Sequence, residues 1–241
     1  MTTNIYVKGE LPRNPIIIEG FPSKGFVSTI ATKYMIDELD MEVIGYVKSD
    51  KIQSIAVVHK SIPMYPIRIY RKDNIVLIFS EISIPYPFIK EFSDAFDRWF
   101  KEIRPEKVVL LAGISGKGTN KEHEIFGLTT DPEMRRIMHE MNIEMIEEGM
   151  LAGISSDMML NCVEEGIPVI SFMVETRYTP DPLGAASLLK ILCNFLNVDI
   201  DIENLIKRGQ EIENEFKRIT SELKKGKLTH KEMDEYSPMY Q

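Results

Sequence analysis

The sequence predicts an α/β protein: a three-layer α/β/α sandwich with a mostly parallel sheet and a C-terminal helical extension. Two patterns carry that expectation. In the second half, apolar strand-like runs alternate with helical periodicity, as in a sheet covered on both faces. In the first half, short Ile- and Val-rich runs follow one another without helices, which adds an antiparallel section. The 241 residues are 44% hydrophobic, enough to fill one sizeable core.

In chain order, Pro15-Ile16-Ile17-Ile18-Glu19-Gly20 reads as a short buried strand ending in a turn. A helix follows from about Phe26 to Leu39, with Phe26, Ile30, Tyr34 and Val27, Ala31, Met35 recurring at four-residue spacing. Strands are expected at 42–47, 54–59, 67–71 and 75–79, the last two joined as a hairpin by Lys72-Asp73-Asn74. From about Pro87 to Ile103, Phe88, Phe92, Phe96, Trp99 and Ile103 form one helical stripe that Pro105 ends. Val108 to Ala112 is a buried parallel-type strand. A helix over 133–141 takes Asp131 as N-cap and Pro132 at its first position. Another helix spans 156–165 and stops at Gly166, a strand spans 167–174, and Asp181-Pro182 opens a helix through Leu196. No linker-like composition interrupts the chain before about residue 225. The expected organisation is a domain over 1–200, a long helix over 201–226 and a tail over 227–241.

Composition excludes several roles. A formal net charge of -8 with mixed signs lacks the basic face that nucleic-acid binding requires. No apolar run approaches the roughly 20 residues that cross a bilayer, and residues 1–8 carry no apolar signal segment, so a cytoplasmic protein is expected. Cys162 and Cys193 lie in apolar stretches and read as buried thiols.

No residue set combines a nucleophile, a base and an oxyanion donor, so neither catalysis nor a cofactor is expected. Gly113-Ile114-Ser115-Gly116-Lys117-Gly118-Thr119 has phosphate-loop residue types but not phosphate-loop spacing, and reads as a Gly-rich surface loop. The four histidines have no His or Cys partner at zinc-ligand spacing, and His123 reads as a solvated loop residue. Ser115 and Ser155 lack the hydrolase elbow, and Cys162 reads as a packing residue. Glu144, Glu147 and Glu148 read as a solvated acidic turn. Leu-Ala-Gly-Ile-Ser occurs at 111–115 and again at 151–155. Each copy reads as the end of an apolar segment opening into a turn, either lining a ligand crevice or reflecting similar packing.

From Glu203 to Lys225, Leu205, Gly209, Ile212, Phe216, Ile219 and Leu223 form a coiled-coil-like seam. It packs either on its own domain or at a subunit interface, which makes Leu205, Ile212, Phe216, Ile219 and Leu223 candidate oligomer contacts. The polar segment after Gly226 ends on Met239-Tyr240-Gln241, two bulky side chains beside a carboxylate. A mobile segment of this length reaches roughly 20 Å. Its end suits a narrow pocket, and several copies on one oligomer would bind by avidity.

Three stretches resemble the proteasome assembly chaperone family, with the likeness extending over roughly residues 12–215. They are 15–27, then 149–155 with Gly166-Ile167-Pro168, and Arg177-Tyr178-Thr179-Pro180-Asp181-Pro182-Leu183-Gly184-Ala185-Ala186. The last is similar to the family's Tyr-x-x-Pro-Asp-Pro-x-x-Ala-Ala signature, and the match looks closest to archaeal members. The resemblance implies an α/β/α fold like that of purine nucleoside phosphorylases, homo-oligomerisation and no established catalysis. It also implies that a hydrophobic-Tyr-any motif, falling here on Met239, Tyr240 and Gln241, enters pockets between proteasome core-particle α-subunits. Ser23-Lys24 depart from a more glycine-rich family turn. The expected function is a non-enzymatic homo-oligomer that engages the proteasome α-ring in assembly or gate opening. The alternatives are an adaptor that docks a second chaperone-family protein through its C-terminal segment, or a nucleoside- or phosphate-handling enzyme in the strand-end cleft.

Overall fold

Apolar runs with residues buried on both faces can only be satisfied at the middle of a sheet, and that is where the chain places them. The computed structural model describes residues 3–52, 54–115, 123–176 and 178–210. In chain order these form β1 (Asn4–Val7), β2 (Ile16–Gly20), α1 (Val27–Glu38), β3 (Glu42–Lys48), β4 (Val57–His59), β5 (Ile62–Met64), β6 (Ile67–Lys72) and β7 (Ile75–Ser80). There follow α2 (Ile89–Ile103), β8 (Lys107–Ser115), β9 (Ile125–Thr129), α3 (Pro132–Glu140), β10 (Glu144–Met145), α4 (Ile154–Glu165), β11 (Val169–Thr176) and α5 (Pro182–Leu196). Residues 203–210 are again helical.

Nine strands form one sheet in the order β1-β3-β6-β7-β2-β8-β11-β9-β10. Its centre, β7-β2-β8-β11, is parallel, and β7 and β11 are buried along their whole length. The wing β7-β6-β3-β1 is antiparallel, as is the β11-β9 pair. The sheet is therefore mixed rather than mostly parallel. The short hairpin connections of the first half and the reversal into β9 leave no room for crossover helices there.

Two cores flank the sheet. On one face α1 and α5 cover Ile18, Leu77, Val109, Leu111, Ile170 and Phe172. On the other, α2 and α4 cover Ile17, Val76, Ile78, Val108 and Leu110. The aromatic stripe of α2 faces inward as its spacing requires: Phe92, Phe96 and Trp99 are buried, with Phe88 and Ile103 half-buried beside them. The Asp131 side chain caps α3 by accepting from the Glu133 and Met134 N–H groups at 2.7 and 3.1 Å. Gly166 ends α4 with a φ of 67°, the left-handed conformation a glycine adopts without strain.

Three expectations need correction. The run 54–59 does not join the main sheet. Its last residues form β4, paired only with β5 in a separate hairpin. That hairpin is tethered to the sheet through His59 Nε2, 2.8 Å from Glu81 Oε1, and Glu81 is in turn 2.8 Å from the buried Arg68 guanidinium. β1, β5, β9 and β10 are strands not expected from the sequence, and Glu144, read as part of an acidic turn, lies in β10. β1 is a four-residue edge strand, and β9 carries Gly127 at a point where a Cβ would meet Ile143 and Met138 at 2.9 Å. Finally, the two Leu-Ala-Gly-Ile-Ser copies differ. Residues 111–115 lie within β8, whereas 151–155 run into the start of α4 at Gly153.

Candidate functional site

The three segments that carry the family resemblance meet at the carboxyl ends of β2, β8 and β11, where open α/β sheets ordinarily bind ligands. β2 delivers Glu19 there, fully buried among the residues under α2 and α4. Glu19 Oε1 accepts from the Phe21 N–H at 2.8 Å, and Oε2 accepts from the Ser155 hydroxyl at 3.0 Å. Burial pushes the Glu19 carboxyl up to about 7, against the opposing pull of these bonds and one from the Leu111 backbone. Ser155 lies in the first turn of α4, so the central segment is tied to β2 by one polar contact.

The β2–α1 turn closes over the end of β8. Gly113 N–H donates to Ser23 Oγ at 3.1 Å, and Lys24 Nζ donates to Ser115 Oγ. A Cβ at Gly113 would stand 2.0 Å from the Lys24 carbonyl oxygen, so the two backbones are in direct contact. Gly25, at φ 68°, packs against Thr176 and the Tyr178 carbonyl, and its own carbonyl accepts from the Asp181 N–H at 2.8 Å. The described part of the strand-end cleft is thus filled by turns that bond to each other. The glycine-rich residues 116–119 and Arg177 lie outside the described residues.

The Tyr178-to-Ala186 segment acts as a helix start and a close-packing face. Asp181 caps α5, accepting from the Gly184 N–H at 2.8 Å, and Pro182 occupies the first turn. Ala185 and Ala186 are buried, which lets α5 approach α1 closely. The Thr179–Pro180 peptide bond is cis.

His123 differs from the solvated residue expected. Its side chain is 8% exposed, with Nε2 3.4 Å from Asp181 Oδ1. Its Nδ1 is 2.8 Å from the Glu175 carbonyl oxygen, which can only accept, so Nδ1 carries a hydrogen. The imidazole joins the start of β9 to the end of β11 and the cap of α5. Spacing alone could not show this, because these residues are more than 50 positions apart.

The two cysteines are buried thiols, as their apolar surroundings implied. Burial pushes Cys162 up to about 12 and Cys193 up to about 11, far from a reactive thiolate. Among the described residues, no group of three His, Cys, Asp or Glu is placed to hold a metal ion, and no helix is long and apolar enough to cross a membrane.

Of the C-terminal seam, Leu205 and Gly209 are described. Leu205 is 5% exposed and joins the core under α1 and α5. A Cβ at Gly209 would meet Leu183 Cδ2 at 2.8 Å, so residues 203–210 lie directly on the start of α5. At Leu205 the seam faces its own domain. Ile212, Phe216, Ile219, Leu223, Met239, Tyr240 and Gln241 lie outside the described residues.

A mixed nine-stranded sheet between helical layers, with interlocked strand-end turns, places the chain in a class of α/β/α proteins that includes archaeal relatives of proteasome assembly chaperones. The crystal structure of Pyrococcus furiosus PbaA, an archaeal homolog of proteasome-assembly chaperone, matches it with a TM-score of 0.84 at 27% identity, covering 100% of both chains. The chain belongs to the PAC2 family, whose pattern matches residues 17–220. An uncharacterized protein of Methanocaldococcus jannaschii is 32% identical over 228 residues, 94% of this chain and 93% of the relative. Pyrococcus furiosus PbaB, an archaeal proteasome activator, shares the fold with a TM-score of 0.79 at 18% identity, over 91% of this chain and 99% of that one.

Proposed function

We propose that this PAC2-family chain is a non-enzymatic, homo-oligomeric cytoplasmic scaffold that engages the α-ring of a proteasome core particle through Met239, Tyr240 and Gln241. The observation that carries the reading is the full-length likeness to PbaA, itself an archaeal homolog of proteasome-assembly chaperone. The packed strand-end turns support a scaffold over a ligand-handling cleft, since Gly113 leaves no space for even a methyl group there. Met239 and Tyr240 supply apolar surface for a narrow pocket. Clustering several such segments on one oligomer raises their effective concentration at the ring, where one alone binds weakly.

Native mass spectrometry of the full chain mixed with an archaeal core particle tests the reading. Deletion of residues 239–241 is expected to weaken core-particle binding at least about tenfold while leaving the chain's own assembly mass unchanged. Binding that survives the deletion would sink the docking role of these three residues.

A further inference from the structure

The large apolar side chains that the fold leaves most exposed gather in two places. One is the β4–β5 hairpin, where Val58 and Ile62 point outward, with Ile55 just before them in the chain and Tyr65 just after. The other is α4 and the segment leading into it. Met150 is fully exposed, Leu151 follows it, and Leu160 and Val163 stand one turn apart on the outside of the helix. Lys90 of α2 lies 3.8 Å from Asp157 of α4. That contact sets Tyr86, 82% exposed and one turn ahead of Lys90, beside the start of α4.

Charge divides the two places. From Glu144 to Glu165 the chain carries Glu144, Glu147, Glu148, Asp157, Glu164 and Glu165 and no Lys, Arg or His. Lys90 and Lys101 of α2 lie beside Asp157 and Glu165, but Glu147 and Glu148 form no ion pair among the described residues. Around the hairpin the balance reverses. Between Tyr46 and Tyr65 stand Lys48, Lys51 and Lys60 against Asp50, and none of the three lysines forms an ion pair among the described residues. The chain cannot bring these surfaces together itself. α4 packs over β8 and β11, on the core that holds its Met158 and Cys162. The hairpin is fastened to the opposite face of the sheet: Arg68, which holds it through Glu81 and His59, lies over the Phe79 ring in the core under α1. In strand order β6 is three places from β8, about 14 Å away. Whatever covers either surface must come from another molecule.

We infer that the α4 face of one copy docks on the β4–β5 hairpin of the next. An exposed apolar face rimmed by unpaired carboxylates fits an apolar face rimmed by unpaired cations, and a second copy carries one. The same charges exclude the two-fold alternatives. With α4 on α4, or hairpin on hairpin, like charges meet, and a net charge of -8 per chain adds to the repulsion. Because two different surfaces meet, the contact runs head to tail, and every face is covered only when the copies close into a ring. The inference rests on the homo-oligomer proposed above. It adds a contact within the α/β/α body to the one expected of the C-terminal seam, so that loss of either gives a smaller assembly.

Sedimentation velocity of the full chain, compared with Ile62→Glu and Leu160→Lys, tests the contact. Each substitution gives one face a charge of the sign that the opposing face carries, and both positions are exposed, so the fold tolerates them. Each variant alone is expected to assemble at least about tenfold more weakly than the wild type. Their equimolar mixture is expected to recover heavier species, because each supplies the intact face that the other lacks. Carbodiimide, which joins an amine to a carboxylate without a spacer, gives a second reading that needs no variant. In a mixture of unlabelled and heavy-isotope wild type, cross-links from Lys48, Lys51 or Lys60 to Glu147 or Glu148 are expected to join one isotope to the other. A wild type that stays monomeric would overturn the homo-oligomer and this contact with it. Assembly that survives either substitution, a mixture no heavier than its components, or an absence of those cross-links between copies would overturn the contact alone.

Discussion

Glu19 is a carboxyl where the three preceding positions of its strand are isoleucines, and its environment makes it responsive to pH. Burial raises its folded-state value from 4.5 to about 7. Because the folded state holds this proton more tightly than the unfolded chain, the stability it contributes is full below about 4.5. That contribution is lost as pH rises through about 7. The shift corresponds to about 3 kcal/mol of lost stability above neutrality. Glu19→Gln keeps an acceptor for the Phe21 N–H and offers Ser155 a donor, but cannot ionise. Thermal melts between pH 4 and 9 are expected to show wild type and variant converging at low pH, the wild type falling relative to the variant as pH rises towards about 7, and a constant gap above it. Parallel curves would mean that Glu19 does not titrate in this range. The sequence showed Glu19 plainly within Ile16-Ile17-Ile18-Glu19-Gly20, but not its partner Ser155, which stands 136 residues away. The same limit hid the packing of His123. Side-chain character is local, whereas burial is decided by which distant turns fold over a residue.

Elements whose periodicity is set by burial on one face or both were legible; elements decided by their neighbours were not. The α2 stripe and the strands β2, β8 and β11 follow from spacing and apolar runs. β1, a half-exposed edge of four residues, and β9, interrupted by Gly127, lack either signal. The junction of β8 with the β2–α1 turn illustrates the second kind. Gly113 looked like part of a loose glycine-rich loop, yet it lies in a strand with the Lys24 carbonyl against its α-carbon. Gly113→Ala would place a methyl group 2.0 Å from that oxygen, so the turn must move. Displacing backbone that is also bonded through Ser23 is expected to cost about 1–3 kcal/mol or more, read as a lower Tm. An unchanged Tm would show that the turn is not locked to β8.

At the scale of the whole molecule, the α/β/α layering was legible from the alternation of patterns, but the strand order was not. Nothing local says that β2 enters between β7 and β8, or that β9 reverses beside β11. The boundary between domain and extension is also a tertiary matter. Heptad spacing treats Leu205 and Ile212 alike, while packing already commits Leu205 to the core and sets Gly209 on Leu183. This separates two roles along one helix and gives a truncation test. Ending the chain after Asp201 removes Leu205 from its buried site, a loss of at least about 2 kcal/mol, and should lower the Tm clearly. Ending it after Gln210 keeps every core contact described for the helix while removing Ile212, Phe216, Ile219 and Leu223. That form is expected to melt within a few degrees of the full chain, to lose core-particle binding, and to fall to a smaller assembly in analytical ultracentrifugation. Retention of the full assembly by the chain ending at Gln210 would remove the seam from the subunit interface and leave oligomerisation to the α/β/α body.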